Sequence, residues 1–172
     1  MTGKVIAVMP ALFSLNGRMR RRDYWIYSLV IWVIVIAINY ASFLLWGPGG
    51  SYFKAFAIAK THPFNGYVIT VYAMIVVSAI LRFNVAAKRW HDRNRSAWIS
   101  ALVTVVWYTA YATKLFFPAT FTGNPLLSNL VGLPMLAVGL WTFIECGCLD
   151  GRPEANRYGP SPKGISDPAN LF

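Results

Sequence analysis

Acidic residues are scarce in this sequence. Its 172 residues hold six Asp and Glu against 16 Lys and Arg, for a formal net charge of +10. Such a balance suits either nucleic acid or an anionic membrane surface. Here the basic residues flank apolar runs, so orientation and anionic lipid headgroups account for them, and nucleic acid is not an expected partner. Cysteine is nearly missing as well. Cys146 and Cys148 are the two present; a pair so close is no disulfide framework, and C-x-C alone is no zinc site. His91 would add a third ligand without a fourth, so no metal and no cofactor are expected. No serine or cysteine nucleophile stands at a telling spacing. His91 and Asp92 are adjacent, and neighbours on a helix point about 100° apart, so they do not face each other as an acid–base pair. An enzyme is therefore not expected. The opening residues also lack the long apolar core and small-residue cleavage site of a secretory signal. Val5 to Phe13, interrupted by Pro10, is expected to lie along a membrane interface.

What fills the sequence instead is apolar. Hydrophobic residues make up 56%, charged residues 13%, and the mean hydropathy is +0.47. Tyr24 to Trp46 runs without a charge, about 34 Å as a helix, enough to cross a hydrocarbon core of roughly 30 Å. Trp25 and Trp46 mark its ends as an aromatic belt would. Further runs at 64–83, 97–117 and 126–146 complete an expected all-α integral membrane protein with four transmembrane helices and short interfacial helices. Gly47 to Gly50 and Thr122 to Pro125 read as breaks, and Ser51 to Lys60 as a surface helix. Residues 1–23 form an N-terminal segment and 147–172 a polar tail expected to have no fixed fold. Asn39 is expected to bond a neighbouring helix, and Gly132, Pro134 and Gly139 to allow a kink and close helix contact. Trp32 and Trp107 are expected to pack between helices or against lipid.

Charge position adds topology. Lys4, Arg18, Arg20, Arg21, Arg22, Arg82, Lys88, Arg89, Arg93, Arg95, Arg152, Arg157 and Lys163 fall on one predicted side, while Lys54, Lys60 and Lys114 fall on the other. By the positive-inside rule both termini and the central connection lie in the cytoplasm. The second helix is expected to continue past the bilayer. Phe83, Ala86, Ala87 and Trp90 would form its apolar face, with Lys88, Asp92 and Arg95 on the other side. Asp92 is spaced to pair with Lys88 or Arg89, and Ser96 suits an N-cap for the next helix.

Three segments carry a resemblance. Residues 13–25 read FSLNGRMRRRDYW, 87–98 read AKRWHDRNRSAW and 151–162 read GRPEANRYGPSP. In this order, around apolar spans, the set resembles the bacterial "domain of unknown function 805" family of small inner-membrane proteins. The matching positions are Gly17, Arg18, Arg21, Tyr24 and Trp25, then Arg89, His91, Asp92, Ser96 and Trp98, then Asn156, Arg157, Tyr158, Gly159 and Pro162. Ala97 stands where the family pattern has glycine, and Glu154-Ala155 where it has a small or polar run. The resemblance implies an integral inner-membrane location, multi-pass with both ends inside, and no established activity.

All three segments fall on the predicted cytoplasmic side. Arg18, Arg21, Arg22, Trp25, Arg89, His91, Asp92, Arg93, Arg95, Ser96, Trp98, Asn156, Arg157 and Tyr158 are therefore expected to pack as one cap, with Asp23, Asp92 and Glu145 neutralised by arginines. The expected function is non-enzymatic: a basic face that engages anionic lipid, a protein partner or a second copy of the chain. The alternative is an oligomeric transporter or channel subunit. Asn39, Ser78 and Asn129 would mark its path, although mid-depth ionisable residues are nearly lacking.

Overall fold

A run that is apolar on every side satisfies its backbone only as a helix when lipid surrounds it. The computed structural model describes residues 12–47, 61–116 and 124–163, and within them the regular elements are helical. They are α1 (Arg21–Trp46), α2 (Gly66–Asp92), α3 (Ala97–Phe116) and α4 (Pro125–Thr142), the last passing into a π-helical segment, Phe143–Cys148. The expected interfacial patch before Leu12, the Ser51–Lys60 helix, most of the Thr122–Pro125 turn, the end of the tail and the Lys114 side chain lie outside the described residues.

The ends of these helices follow from local chemistry. Asn65 caps α2, its Oδ1 accepting from Tyr67 N–H at 2.8 Å, and Asn124 caps α4 through Leu127 N–H at 3.1 Å with Pro125 following. Both are the residue type that best replaces a missing helical acceptor. α2 stops at Asn94, whose φ of 60° is left-handed. Arg95 N–H reaches Trp90 O at 2.8 Å and Asn94 N–H reaches His91 O at 2.9 Å, the paired bonds of a Schellman cap. Ser96 Oγ then accepts from Trp98 N–H at 3.4 Å at the start of α3.

Packing is unlike that of a water-soluble bundle. α1 and α2 meet through Phe43 and Tyr67, ring centroids 5.8 Å apart, beside Val68 and Val71. Near their other ends, Met19, Ile31 and Val85 form a second cluster. Ser78 Oγ lies 3.0 Å from Tyr108 Oη, joining α2 to α3. On α4 the close approach is at Gly139, where an added Cβ would sit 2.9 Å from the Trp107 ring; Gly132 has open space instead. Leu29, Trp32, Leu45, Leu130, Leu133 and Leu136 all face outward. Three helices, Arg21–Trp46, Gly66–Asp92 and Pro125–Cys148, are long and apolar enough to cross a membrane, and α3 has a shorter apolar stretch, Ala97–Ala110. Lipid is the solvent that such a surface suits.

Three expectations need correction. Asn39 bonds not to a neighbouring helix but to Val35 O of its own, at 2.7 Å, since a short amide reaches the i−4 carbonyl more readily than another helix. The last turns of α2 do not present a wet charged side: Lys88, Arg89, His91 and Asp92 are buried along with Trp90, because other segments fold over them. Those segments include the tail. Over 149–163 it is ordered, with Asn156 and Gly159 exchanging backbone hydrogen bonds at 3.1 and 2.9 Å.

Candidate functional site

The covering of α2 begins with one carboxylate. Asp92 ends the helix, and its two oxygens take separate arginines. Arg18 Nε donates to Oδ1 at 2.9 Å, and Arg89 Nη1 donates to Oδ2 at 2.5 Å. The Arg18 side chain is 1% exposed and the Asp92 side chain 4%. Ions so enclosed persist only when their remaining hydrogen-bonding groups are also matched. They are. Arg18 Nη1 donates to Glu154 O at 2.6 Å and Gly159 O at 3.3 Å, and its Nη2 donates to Arg152 O. Arg89 Nη1 also reaches Met19 O at 3.4 Å. One arginine from before α1 thus holds the end of α2 and the tail together.

A second set of acceptors comes from the C-terminal end of α4. The last carbonyls of any helix lack partners within it and carry its negative dipole end. Here five successive carbonyls are each met by a side chain from α1 or the end of α2. Arg89 Nε donates to Cys146 O at 2.7 Å, Trp25 Nε1 to Gly147 O at 3.0 Å and Arg21 Nη1 to Cys148 O at 2.8 Å. Arg89 Nη2 donates to Leu149 O, and Arg93 Nη1 to Asp150 O at 3.1 Å. Glu145, just inside this end, pairs with Arg93 at 2.7 Å and Arg95 at 3.3 Å. Gly147 is required by the fit: a Cβ there would lie 2.5 Å from the Trp25 ring.

The tail then closes over the top. Asn156 Nδ2 donates to His91 O at 2.9 Å, and Arg152 N–H to Asp92 O at 3.0 Å, so the tail adds donors to the carbonyls at the end of α2. Tyr158 stacks on His91 at 3.7 Å between centroids and 8° between planes, with the Arg157 guanidinium 4.8 Å from the Tyr158 ring on which it lies. His91 Nδ1 is 3.2 Å from Gly17 O, which makes Nδ1 the protonated nitrogen of the neutral ring. Burial lowers the His91 pKa below the usual histidine range. The Gly17 bond opposes that shift, and Arg157 and Lys88 add to it. At 27 residues, about 40 Å, α2 is longer than a roughly 30 Å hydrocarbon core, so not all of its turns fit among the lipid tails. Gly17, at φ 91°, and Gly159, at φ 126°, make the left-handed turns that set these carbonyls in place.

The segments that build this cap also carry the comparison with known proteins. Residues 12–160 match the family described as Protein of unknown function (DUF805). The chain belongs to that family. It is also similar to the "Inner membrane protein YhaH" of Escherichia coli strain K12, at 23% identity over 159 residues, covering 92% of this chain and 94% of the relative. The same figures hold for the protein of that name in Escherichia coli O157:H7. No solved structure matches. The chain is accordingly a membrane protein of a family without an assigned activity.

Within this DUF805 chain the predicted residues divide. Arg18, Arg21, Trp25, Arg89, His91, Asp92, Arg93, Arg95, Asn156 and Tyr158 are brought together, with Arg157 stacked at the edge. Arg22 and Trp98 are not. The Arg22 side chain is 77% exposed and meets its neighbour Asp23 at 3.5 Å, while Trp98 is 81% exposed. Each lies in the first turn of its helix, on the side turned away from the cluster. Ser96 serves the α2–α3 turn. Sequence reasoning missed Arg20, which donates to Pro162 O, and Asn84, which donates to Leu12 O at 2.8 Å. It also missed the whole row of carbonyl acceptors, for which side-chain identity offers no signal. Among the described residues no group of three His, Cys, Asp or Glu is placed to hold a metal.

Below the cap, the helices border a half-open cavity of about 570 Å³. All four helices line it, and Asn39 and Ser78 are both in its wall. Asn129, the third residue of the expected polar path, is exposed on α4.

Proposed function

We propose that this chain is a four-span inner-membrane protein, with both ends in the cytoplasm and no catalytic role, whose cap rim binds anionic headgroups. The observation that carries the reading is a division of labour among the arginines. Arg18, Arg89 and Arg93 are consumed by internal acceptors. Arg22 stays outside at the same end, together with the exposed rings of Trp25 and Trp98. Arginine beside tryptophan at a helix end is the usual furniture of the headgroup layer, and each basic residue near an anionic surface adds about 1 kcal/mol of attraction. With 20 residues, about 30 Å of helix, α3 has the length for the fourth crossing.

Reconstitution into nanodiscs of phosphatidylcholine, with and without phosphatidylglycerol, tests the rim. Native mass spectrometry should find phosphatidylglycerol retained in excess by the wild type and less by Arg22→Gln. Equal retention of both lipids by the wild type would remove the proposal. A reporter active only in the periplasm, inserted at Asn94, should stay dark; a signal there would reverse the orientation. The second reading, an oligomeric transporter or channel subunit, draws on the cavity that Asn39 and Ser78 line. A solute leak in liposomes that Asn39→Leu abolished would favour it.

A further inference from the structure

The cavity has two kinds of wall. Along α2 it is lined by Val71, Met74, Ile75, Ser78, Arg82 and Ala86, one side of the helix at spacings of three and four. From Val71 to Met74 and Ile75 the surface is apolar, and Val35 and Ile36 of α1 and Trp107 of α3 continue it. Around Arg82 it turns polar. Tyr24 is within electrostatic reach of Arg82, and Ser28 stands one helical turn from Tyr24. Ser100, at the same level, donates to Phe83 O at 3.0 Å. Tyr24, Ser28 and Ser100 all line the space.

Arg82 differs from the cap arginines. Among the described residues it has no carboxylate partner and no hydrogen-bond acceptor. The Arg82 side chain is exposed, so its guanidinium is open to an anion at the edge of the apolar wall. The distance along α2 from Val71 to Arg82 is about 16 Å at 1.5 Å per residue, close to the roughly 15 Å of one hydrocarbon leaflet. The volume is in the range of small-ligand sites, about 300–1,000 Å³. α4, with no buried residue over Pro125–Thr142, is the loosely held wall.

We propose that this cavity holds one acyl chain of an anionic amphiphile, with its negative headgroup on Arg82 and its tail running toward Val71. The site lies between the helices and apart from the rim, so either can exist without the other. The occupant is a phosphate-headed membrane lipid or a free fatty acid; both present the same chemistry to the arginine.

The test uses the full chain in native-lipid nanodiscs and three diazirine-bearing probes: phosphatidylglycerol, palmitic acid and uncharged diacylglycerol. Photolabelling read by peptide mass spectrometry should place phosphatidylglycerol or palmitic acid on Met74 and Ile75, the stronger of the two identifying the source, with little diacylglycerol there. Arg82→Gln should lower that labelling about fivefold, the factor one headgroup contact supplies. Arg22→Gln should leave it unchanged while reducing lipid retention at the rim. Ala86→Trp, which fills the polar end with Arg82 still present, should abolish it even if Arg82→Gln is lost from the membrane. Labelling of Met74 by diacylglycerol as strong as by the anionic probes would overturn the proposal. So would unchanged labelling in Arg82→Gln or Ala86→Trp, or labels confined to outward residues such as Leu133.

Discussion

The two halves of α2 bury different things. Its first turns enclose Tyr67, Val68 and Val71 against Phe43, an apolar contact between helices. Its last turns enclose Asn84, Lys88, Arg89, His91 and Asp92. The difference shows how a small membrane protein holds itself together. In hydrocarbon, burying an apolar side chain gains little over leaving it in lipid, so helices there associate through close packing and few bonds. At the cap end Val85, Ala87 and Trp90 are buried as well, and enclosed ions and matched carbonyls are added to them. The cap is where three distant segments are tied to one another. Among the described residues the spans are tied more sparsely, as by Ser78 and Tyr108.

The contrast can be broken most directly at its centre. Asp92→Ala leaves Arg18 and Arg89 enclosed without their anion, and the expected loss is about 3–5 kcal/mol, seen as a large fall in the thermal midpoint in detergent. A fall no greater than that of an exposed-site variant would show that the cap adds nothing to stability. Gly147→Ala drives a methyl into the Trp25 ring, with an expected cost of about 1–3 kcal/mol and a shift in the emission of that tryptophan. Asn156→Ala should cost about 1 kcal/mol by removing the tail's donor to the His91 carbonyl, which keeps its bond from Asn94 N–H. It should also expose the tail to limited proteolysis ahead of the helices.

Two smaller effects sharpen the comparison. Burial depresses the His91 pKa in the folded chain, so the unfolded chain binds the proton first. Stability should then hold above about pH 6.5 and fall as pH drops below it. His91→Gln should flatten that part of the profile, and an unchanged slope would place the titrating group elsewhere. Outside the cap, Arg22→Ala and the lipid-facing Leu133→Ala should each move stability by under about 0.5 kcal/mol. A larger loss at Leu133 would mean that α4 is covered by protein, as in an oligomer.

Much of this was legible in the letters. The uncharged run from Tyr24 and the long apolar stretch after Phe64 announced helices for lipid, because spanning needs only length and apolarity. The three arginine-rich segments marked where the polar end would gather. Asp92 was read as a partner of Lys88 or Arg89, and it pairs with Arg89, because i, i+3 spacing is local. What stayed hidden has a common cause. Arg18 and Arg22 look alike in sequence, yet one is enclosed by residues from far along the chain and the other is open. The tail reads as polar and rich in glycine, which local composition cannot distinguish from disorder. The acceptors on Cys146, Gly147, Cys148, Leu149 and Asp150 belong to the backbone, and every residue type has that carbonyl.

By itself the sequence determined the solvent of this protein and the level at which its charges sit, because apolar length and charge position are properties of short stretches. Tertiary structure alone decided which arginines are structural and which remain free, why Gly147 must be small, and that Arg82 faces a cavity with no carboxylate among the described residues. Those outcomes depend on which distant backbone carbonyls and carboxylates come within about 3 Å of each side chain, and that proximity exists only once the helices and the tail have met.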